Sequence, residues 1–297
     1  MSTSNARAVV VTGTSSGIGR ACSLLLARQG FTVFAGVRKT SDGDALRKDG
    51  GDRVIPVQLD VTDHDAVAAA ARTVASAMRS RGESLHALVN NAGIGVSAPL
   101  EFQPLADIQK SFEINVVGQI AVTQAFLPLL RETRGRIVNI CSVGDRIAIP
   151  FGGSLNGSKS AFAMMSESLR LELRPWGMYV VIIDPGAIMT PAVDKTLGDP
   201  DGMLRRMSPD AERLYGKYFR EFTTRATERE RNGSPPEVVA TAVLDALCDE
   251  HPRRRYVVGK GARTLATLPR VLPAPLLDRL RMKIFGMPTR FGDGARN

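Results

Sequence analysis

The glycine-rich segment at residues 12–19 has the composition of a phosphate-binding turn. It reads T-G-T-S-S-G-I-G and lies between a valine-rich run and a segment with helical periodicity. Glycines let the backbone turn tightly and approach a pyrophosphate, and the first amides of the following helix favour its negative charge. The strand before the turn and the helix after it are the context that this motif requires. The segment therefore predicts a dinucleotide site that includes Gly13, Ser15, Ser16, Gly17, Ile18 and Gly19.

The end of the second predicted strand indicates which dinucleotide is bound. In dinucleotide-binding folds a carboxylate near this point accepts hydrogen bonds from the adenosine ribose. Here the chain reads Val37, Arg38 and Lys39, and valine cannot play that part. The two cations can pair with a 2′-phosphate, arginine in bidentate fashion. This pair of cations favours NADP(H), with NAD(H) as the alternative. A further alternative is that both cations are simply solvated.

Residues 142–159 carry a second pattern, S-V-G-D-R-I-A-I-P-F-G-G-S-L-N-G-S-K. The pattern resembles the catalytic segment of the short-chain dehydrogenase/reductase family, in which a serine, a tyrosine and a lysine stand at these spacings. Ser142 and Lys159 match the serine and the lysine, and Leu155 occupies the tyrosine position. The resemblance implies that the serine orients the substrate oxygen. It also implies that the lysine holds the nicotinamide ribose and lowers the pKa of the tyrosine.

Further segments carry the same resemblance. The glycine-rich turn has the family's T-G-x-x-x-G-I-G spacing, and residues 90–93 match its N-N-A-G segment. Asn115 matches the asparagine whose bound water extends a proton relay from the lysine. The resemblance further assigns to the cofactor site Asp60 and Val61 after the third strand, Asn91, Ala92 and Gly93 after the fourth, and Pro185, Gly186 and Thr190 after the sixth.

Because Leu155 occupies the tyrosine position, the sequence does not identify a proton donor. Leucine has no proton to give, and loss of a positioned acid or base typically lowers the rate about 10²–10⁴-fold. Asp145, Lys159 or a water held by Asn115 could replace the tyrosine, or the leucine could be an introduced substitution. One hypothesis is an NADP(H)-linked oxidoreductase for an apolar ketone or secondary alcohol, with impaired or altered proton transfer and with Ser142 and Leu155 in the substrate pocket. The alternative is a non-catalytic NADP(H)-binding or sensor protein.

The apolar runs predict a doubly wound, Rossmann-type α/β fold. Runs rich in valine and isoleucine alternate with helical patterns, as in a parallel sheet that is buried on both faces. The predicted strands are residues 9–12, 32–37, 54–59, 87–90, 136–141, 179–183 and 254–258. The predicted helices are residues 18–29, 63–81, 105–131, 154–174 and 238–248. These elements give one domain over residues 1–297, with a sheet of about seven strands and helices on both faces.

The chain beyond the sixth strand departs from this rhythm. Residues 197–230 predict short helices, and residues 192–234, charged yet rich in methionine and aromatic residues, predict a substrate lid. Residues 260–297 form a C-terminal extension. Within it, residues 265–285 have a loose amphipathic pattern, and either packing on the domain or contact with an anionic membrane surface is consistent with that pattern. The resemblance implies a homodimer or homotetramer through the helices at 105–131 and 154–174.

Composition excludes several classes of protein. The net charge of +9 has no nucleic-acid motif beside it, so a solvated basic face at residues 253–255 and beyond is the expectation. The three cysteines fit no metal spacing and are expected to be buried thiols in a reducing, cytoplasmic setting. The sequence has no run of about 18 apolar residues, so no transmembrane helix is expected. The polar N-terminus is not expected to be a signal peptide.

Overall fold

The computed structural model describes residues 7–288, so the polar N-terminus and the end of the predicted extension lie outside the described residues. Seven parallel strands form one sheet in the order β3-β2-β1-β4-β5-β6-β7. The strands are β1 (Arg7–Val11), β2 (Thr32–Val37), β3 (Val54–Gln58), β4 (Ser84–Asn90), β5 (Arg136–Ile140), β6 (Tyr179–Pro185) and β7 (Arg255–Val258). The predicted doubly wound fold is confirmed.

Helices cover both faces of the sheet. Up to β6 they are α1 (Gly17–Arg28), α2 (Thr40–Gly50), α3 (His64–Arg81), α4 (Leu105–Phe112), α5 (Gly118–Thr133) and α6 (Gly153–Leu173). After β6 they are α7 (Ala192–Leu197), α8 (Pro200–Arg205), α9 (Pro209–Arg231), α10 (Glu237–Cys248), α11 (Ala262–Val271) and α12 (Ala274–Ile284). One core lies between the sheet and α1 and α10, and a second lies between the sheet and α3 and α5.

Helices α2 and α9 differ from what the sequence predicted. Helix α2 was not predicted, because its sequence T-S-D-G-D-A-L-R-K-D-G holds two glycines and buries only one large apolar side chain, Leu46. Within residues 197–230 the expectation of short helices holds for α8, but α9 is a single helix of 23 residues. Phe219, Phe222 and Ala226 recur at helical spacing on the buried side of α9 and stabilise it as one continuous helix.

The helix predicted at residues 105–131 is interrupted in its middle. A π-helical turn, Glu113–Val117, joins α4 to α5 and holds Asn115, a polar residue in an apolar stretch of helix. The whole stretch Leu105–Thr133 is long and apolar enough to span a membrane, although half of its most apolar part is buried within the protein. Val122, Phe126 and Leu130 pack on the sheet, as in the core helix of a globular domain.

The C-terminal extension packs on the domain as far as it is described. Leu265 of α11 and Leu277 of α12 are buried against Val143 and Ile147. This contact supports the packed-helix alternative for the extension. Phe285, just after α12, is also buried, in an apolar cluster with α9.

The cysteines follow the sequence expectation in two cases of three. Cys22 and Cys141 are buried, and burial raises the pKa of each thiol to about 12. Cys248 is exposed, so the expectation of a buried thiol is wrong there. It is the last residue of α10, and the helix turns its apolar face elsewhere, onto α1.

Candidate cofactor and active site

The glycine-rich turn leaves the N-terminus of α1 free of side-chain caps. Ser16 precedes the helix and makes no capping hydrogen bond with its side chain, and the first turn holds no acidic residue. Gly17 has a φ of +57°, and Gly13 has a φ of +67°. A Cβ on Gly13 would lie 2.7 Å from Cα of Ala92, so no larger residue fits. The first amides of α1 are therefore arranged for an anion, as a dinucleotide pyrophosphate requires.

Hydrogen bonds fix this turn to the end of β4. Oγ1 of Thr12 accepts from the backbone N–H groups of Asn91 and Ala92, each at 2.9 Å. Nδ2 of Asn91 donates to the carbonyls of Thr12 and Gly13 at 2.9 and 3.0 Å. Thr12, a fully buried residue that directly follows β1, was not predicted to have this role.

The segment after β6 borders the same turn. A Cβ on Gly17 would lie 3.2 Å from Cβ and Cγ2 of Thr190. Pro185 ends β6, and the N–H of Gly186 donates to the carbonyl of Val258 on β7 at 2.8 Å. The structure thus brings the predicted residues after β1, β4 and β6 to one edge of the sheet, formed by the carboxyl ends of the strands.

Arg38 and Asp60 follow β2 and β3, on the side of β1 that faces away from β4. Oδ1 of Asp60 accepts from the N–H and the hydroxyl of Thr62 at 3.0 and 2.8 Å. Burial alone would raise the pKa of Asp60, but these hydrogen bonds and the Arg38 charge outweigh it and hold the pKa below its usual value. Arg38 and Lys39 are exposed, whereas Val61 is buried.

Asn115 joins the π-helical turn to the loop after β4. Its side chain is fully buried; Oδ1 accepts from the N–H of Ile94 at 2.8 Å, and Nδ2 donates to the carbonyl of Ile94 at 2.9 Å. A Cβ on Gly93 would lie 3.1 Å from Oδ1 of Asn115 and 3.5 Å from Nζ of Lys159. Gly93, Asn115 and Lys159 therefore lie close together.

Lys159 is buried at this edge. Its Nζ donates to the carbonyl of Ile140 at 2.8 Å. Burial lowers the pKa of Lys159, and the neighbouring Cys141, Asp145 and Asp184 oppose that shift. The ammonium group therefore lies in an interior where nearby carboxylates favour its charge.

Ser142 and Leu155 flank the same region. Ser142 opens a short 3₁₀ turn, Val143–Asp145, and its half-buried hydroxyl accepts from the N–H of Gly144 at 3.1 Å. Leu155, also half-buried, stands one helical turn before Lys159 on α6. The site thus offers a hydroxyl, an ammonium and an amide, and the Leu155 side chain adds no polar group.

A buried charge cluster lies behind the Ser142 turn, and the sequence analysis missed it. Nη1 of Arg255 donates to Oδ2 of Asp145 at 2.6 Å and to Oδ2 of Asp184 at 2.8 Å. Burial and Asp145 raise the pKa of Asp184 to about 7, against the opposing charges of Arg255 and Arg146. The expectation of a solvated face is therefore wrong for Arg255, whose side chain is only 14% exposed. The available signal was Asp184 itself, a lone carboxylate in the apolar run V-V-I-I-D-P.

Helices α7 to α9 lie beside this edge and pack on an aromatic cluster. The ring of Phe151 meets those of Phe219 and Phe222 with centroids 5.3 and 5.2 Å apart. Helix α7 packs closely on the loop after β4, since a Cβ on Gly95 would lie 2.7 Å from Oγ1 of Thr196. A cavity of about 240 Å³ opens between these elements. Its lining includes Ser97, Thr196, Leu197, Met203 and Phe219.

The chain is similar to known proteins over nearly all of its length. A family model described as short chain dehydrogenase matches residues 7–200. Retinol dehydrogenase 5 of Mus musculus is 35% identical over 290 residues, which cover 95% of this chain and 90% of that protein. A solved short-chain dehydrogenase from Streptomyces avermitilis is 28% identical with a TM-score of 0.71, covering 94% of this chain and 95% of that one. A second, from Burkholderia cenocepacia in complex with NADP, is 29% identical with a TM-score of 0.68, covering 93% and 97%.

Proposed function

The chain belongs to the short-chain dehydrogenase/reductase family, and on that premise we propose that it is an NADP(H)-linked oxidoreductase for an apolar ketone or secondary alcohol. One observation carries the proposal. The uncapped N-terminus of α1, the buried Asn115 and the buried Lys159 meet at one edge of the sheet, with Ser142 beside them. This arrangement combines a place for a dinucleotide with polar groups for a substrate oxygen.

The residues of this edge fit a nicotinamide dinucleotide. The amides that begin α1 would hold its pyrophosphate, Lys159 its nicotinamide ribose, and Arg38 a 2′-phosphate. When bound, the nicotinamide ring supplies or accepts the hydride. NADP(H) is favoured over NAD(H) because Val37 offers no carboxylate, and the Burkholderia cenocepacia neighbour was solved with NADP.

An apolar substrate is supported by the cluster beside the site. Phe151, Phe219 and Phe222 form its buried centre, and the cavity between α7, α8 and the Ser97 loop reaches that cluster at Phe219. Retinol, in the name of the Mus musculus relative, is an alcohol with an apolar body. We assign residues 192–234, which hold α7 to α9, as the lid over the substrate.

Proton transfer is the step that we expect to be slow. Ser142 donates its hydroxyl to the substrate oxygen, and Lys159 places positive charge near it. Leu155, at the family's tyrosine position, supplies no proton on this side. We therefore propose a weak oxidoreductase. The second candidate, a non-catalytic NADP(H)-binding or sensor protein, is favoured by Leu155 alone.

A paired measurement tests both candidates. NADPH affinity is measured by calorimetry, and NADPH oxidation is followed with a panel of apolar ketones. Binding with slow but saturable turnover supports the enzyme. Binding without turnover, in the wild type and in Leu155→Tyr, supports the sensor, and absence of binding contradicts both.

We also propose that the chain forms a homodimer or homotetramer. Exposed apolar side chains line two neighbouring helical stretches, at Leu105, Phe112 and Val117 and at Met164, Met165 and Leu171. Contiguous exposed apolar surface commonly marks an interface between subunits. Light scattering of the wild type and of Met164→Glu is the check; a wild-type monomer contradicts the proposal.

The setting that we propose is the reducing cytoplasm. Cys22 and Cys141 are free, buried thiols, and Cys248 is free and exposed. Free thiols are usual where disulfides do not persist. Cell fractionation with an antibody against the chain tests this assignment, and recovery in an oxidising compartment contradicts it.

A further inference from the structure

Arg255 connects two segments that border the proposed active site. It lies at the start of β7, and its Nη1 donates to Asp145 at 2.6 Å and to Asp184 at 2.8 Å. Asp145 closes the 3₁₀ turn that Ser142 opens, and Asp184 directly precedes Pro185. A single nitrogen therefore joins the Ser142 turn to the end of β6.

The same cluster reaches the helix that carries Lys159. The hydroxyl of Ser160, the next residue, donates to the carbonyl of Asp145 at 3.0 Å. Farther along α6, Oε1 of Glu167 lies 3.9 Å from Nη2 of Arg255. The Ser142 turn, the end of β6 and α6 are thus all in contact with this charge cluster.

Because both carboxylates are buried, these contacts fix the positions of Asp145 and Asp184. The side chain of Asp184 is fully buried and that of Asp145 is 2% exposed, so neither carboxylate is stabilised by bulk water. Arg146 also faces both carboxylates, but at longer distances of 3.5 and 3.2 Å. Loss of one partner of a buried charged group leaves the remaining charge uncompensated, and the backbone that bears it must shift.

We infer that Arg255 is a positioning residue for the proposed reaction, holding the Ser142 turn, α6 and the Pro185–Gly186 segment at a fixed spacing. The inference rests on the proposed function. Arg255 acts through Asp145 and Asp184 and touches neither substrate nor cofactor. A lysine ammonium could replace the contacts of Nη1 with the two carboxylates, but not the additional approach of Nη2 to Glu167.

The test uses Arg255→Met, Arg255→Lys and the matched control Arg254→Met, which removes an exposed cation one residue earlier. Each is made in the wild type and in Leu155→Tyr. For Arg255→Met we expect kcat to fall about 10- to 100-fold, because small misplacements of reacting groups are costly, while KM changes little. Arg255→Lys should restore part of kcat, and Arg254→Met should match its parent.

Amide hydrogen exchange gives a readout that does not need turnover. Arg255→Met should exchange faster at residues 142–146 and at residues 184–188, with the core of β1 and β4 unchanged. Unchanged exchange at both segments overturns the inference, as does an unchanged kcat in any background that turns over. If Arg255→Met does not fold, the comparison of Arg255→Lys with Arg254→Met decides by the same criteria. If no background turns over, the proposed function fails, and the exchange result alone decides about Arg255.

Discussion

Nδ2 of Asn115 donates a hydrogen bond to Oγ of Ser158 at 3.0 Å, and Ser158 in turn donates to the carbonyl of Leu155 at 2.9 Å. The π-helical turn is thereby joined to the first turn of α6, where Leu155 lies. Asn115 also satisfies both backbone groups of Ile94. One buried amide thus holds together the loop after β4, the interrupted helix and the helix that carries Lys159.

Asn115→Leu should destabilise the fold. The substitution leaves the N–H and carbonyl of Ile94 and the hydroxyl of Ser158 without this partner, and each unpaired buried group costs about 1–3 kcal/mol. We expect a loss of about 2–4 kcal/mol in the free energy of unfolding, measured by urea denaturation. Asn156→Leu is the control, because Asn156 is half-buried and donates one long hydrogen bond of 3.3 Å to Ile147. Equal losses in both variants would contradict the role given to Asn115.

Leu155→Tyr should raise turnover. A phenol one helical turn before Lys159 would supply the proton that leucine lacks, so kcat should increase by at least about 10²-fold. NADPH affinity should stay within a few-fold, because Asn115, Lys159 and the glycine-rich turn are unaltered. The assay is NADPH oxidation with an apolar ketone.

Leu155→Phe is the matched control for that gain, since it adds the ring without the hydroxyl. We expect it to turn over no faster than the wild type. If leucine and tyrosine proteins are equally fast, another group supplies the proton. Asp145→Asn would then be uninformative on its own, because Asp145 is bound to Arg255 and its loss also disturbs the Ser142 turn.

Arg38→Ala should weaken NADPH binding selectively. Loss of a charged hydrogen bond to the 2′-phosphate costs about 1.5–3 kcal/mol, which corresponds to about 10- to 150-fold in Kd. NADH has no such phosphate, so its Kd should remain unchanged in the same variant. Calorimetric titration of both cofactors measures this, and equal wild-type affinities for NADPH and NADH would refute the assignment.

Asp184 should make stability depend on pH. Because its pKa is raised from 3.8 to about 7 in the folded protein, the folded state keeps a proton that the unfolded chain has already released. The stabilisation is complete below about pH 4 and is lost as the pH rises through about 7. Relative to Asp184→Asn, the wild type should therefore lose free energy of unfolding from pH 4 to pH 7. Asp194→Asn, at an exposed ion pair, controls for the change in net charge, and a constant difference across this range would contradict the prediction.

The proposed lid at residues 192–234 should be held by a surface contact that contributes little to the stability of the fold. Nη2 of Arg206, after α8, lies 2.8 Å from both carboxylate oxygens of Asp107 on α4. The Arg206 side chain is 55% exposed, and ion pairs with an exposed partner contribute about 0–1 kcal/mol. Asp107→Asn should therefore change the melting temperature little while raising KM for the ketone. Asp210→Asn removes a pair with Arg213 that lies within α9 and should leave KM unaltered. If both variants behave alike, Arg206 and Asp107 do not hold the lid.

The sheet and its binding edge were predictable from the sequence for a local reason. Most strands are short runs rich in valine and isoleucine, and the glycines at 13 and 17 have φ values of +67° and +57°, which is a local requirement of the turn between β1 and α1. Asn115 and Lys159 were found because their motifs are local as well. Such features depend on neighbours in the chain, which a sequence displays directly.

Arg255 could not be found in this way. Its partners, Asp145 and Asp184, are 110 and 71 residues away in the chain. Beside Arg253 and Arg254 it has the pattern of a solvated basic run. The same limit hid Thr12, whose hydroxyl meets Asn91 only after β1 and β4 have paired. The local sequence pattern predicts each helix or strand. Which polar side chains become buried depends on the pairing between strands that are distant in the chain.

Arg255 lies in the last strand, so it is synthesised after both of its carboxylate partners. A chain is made from its N-terminus, so Asp145 and Asp184 leave the ribosome before the cation that binds both of them. A nascent chain that has reached only the end of β6 therefore carries both carboxylates without this partner. A chain that ends before residue 255 would keep the glycine-rich turn and lack the contact that joins the Ser142 turn to the end of β6.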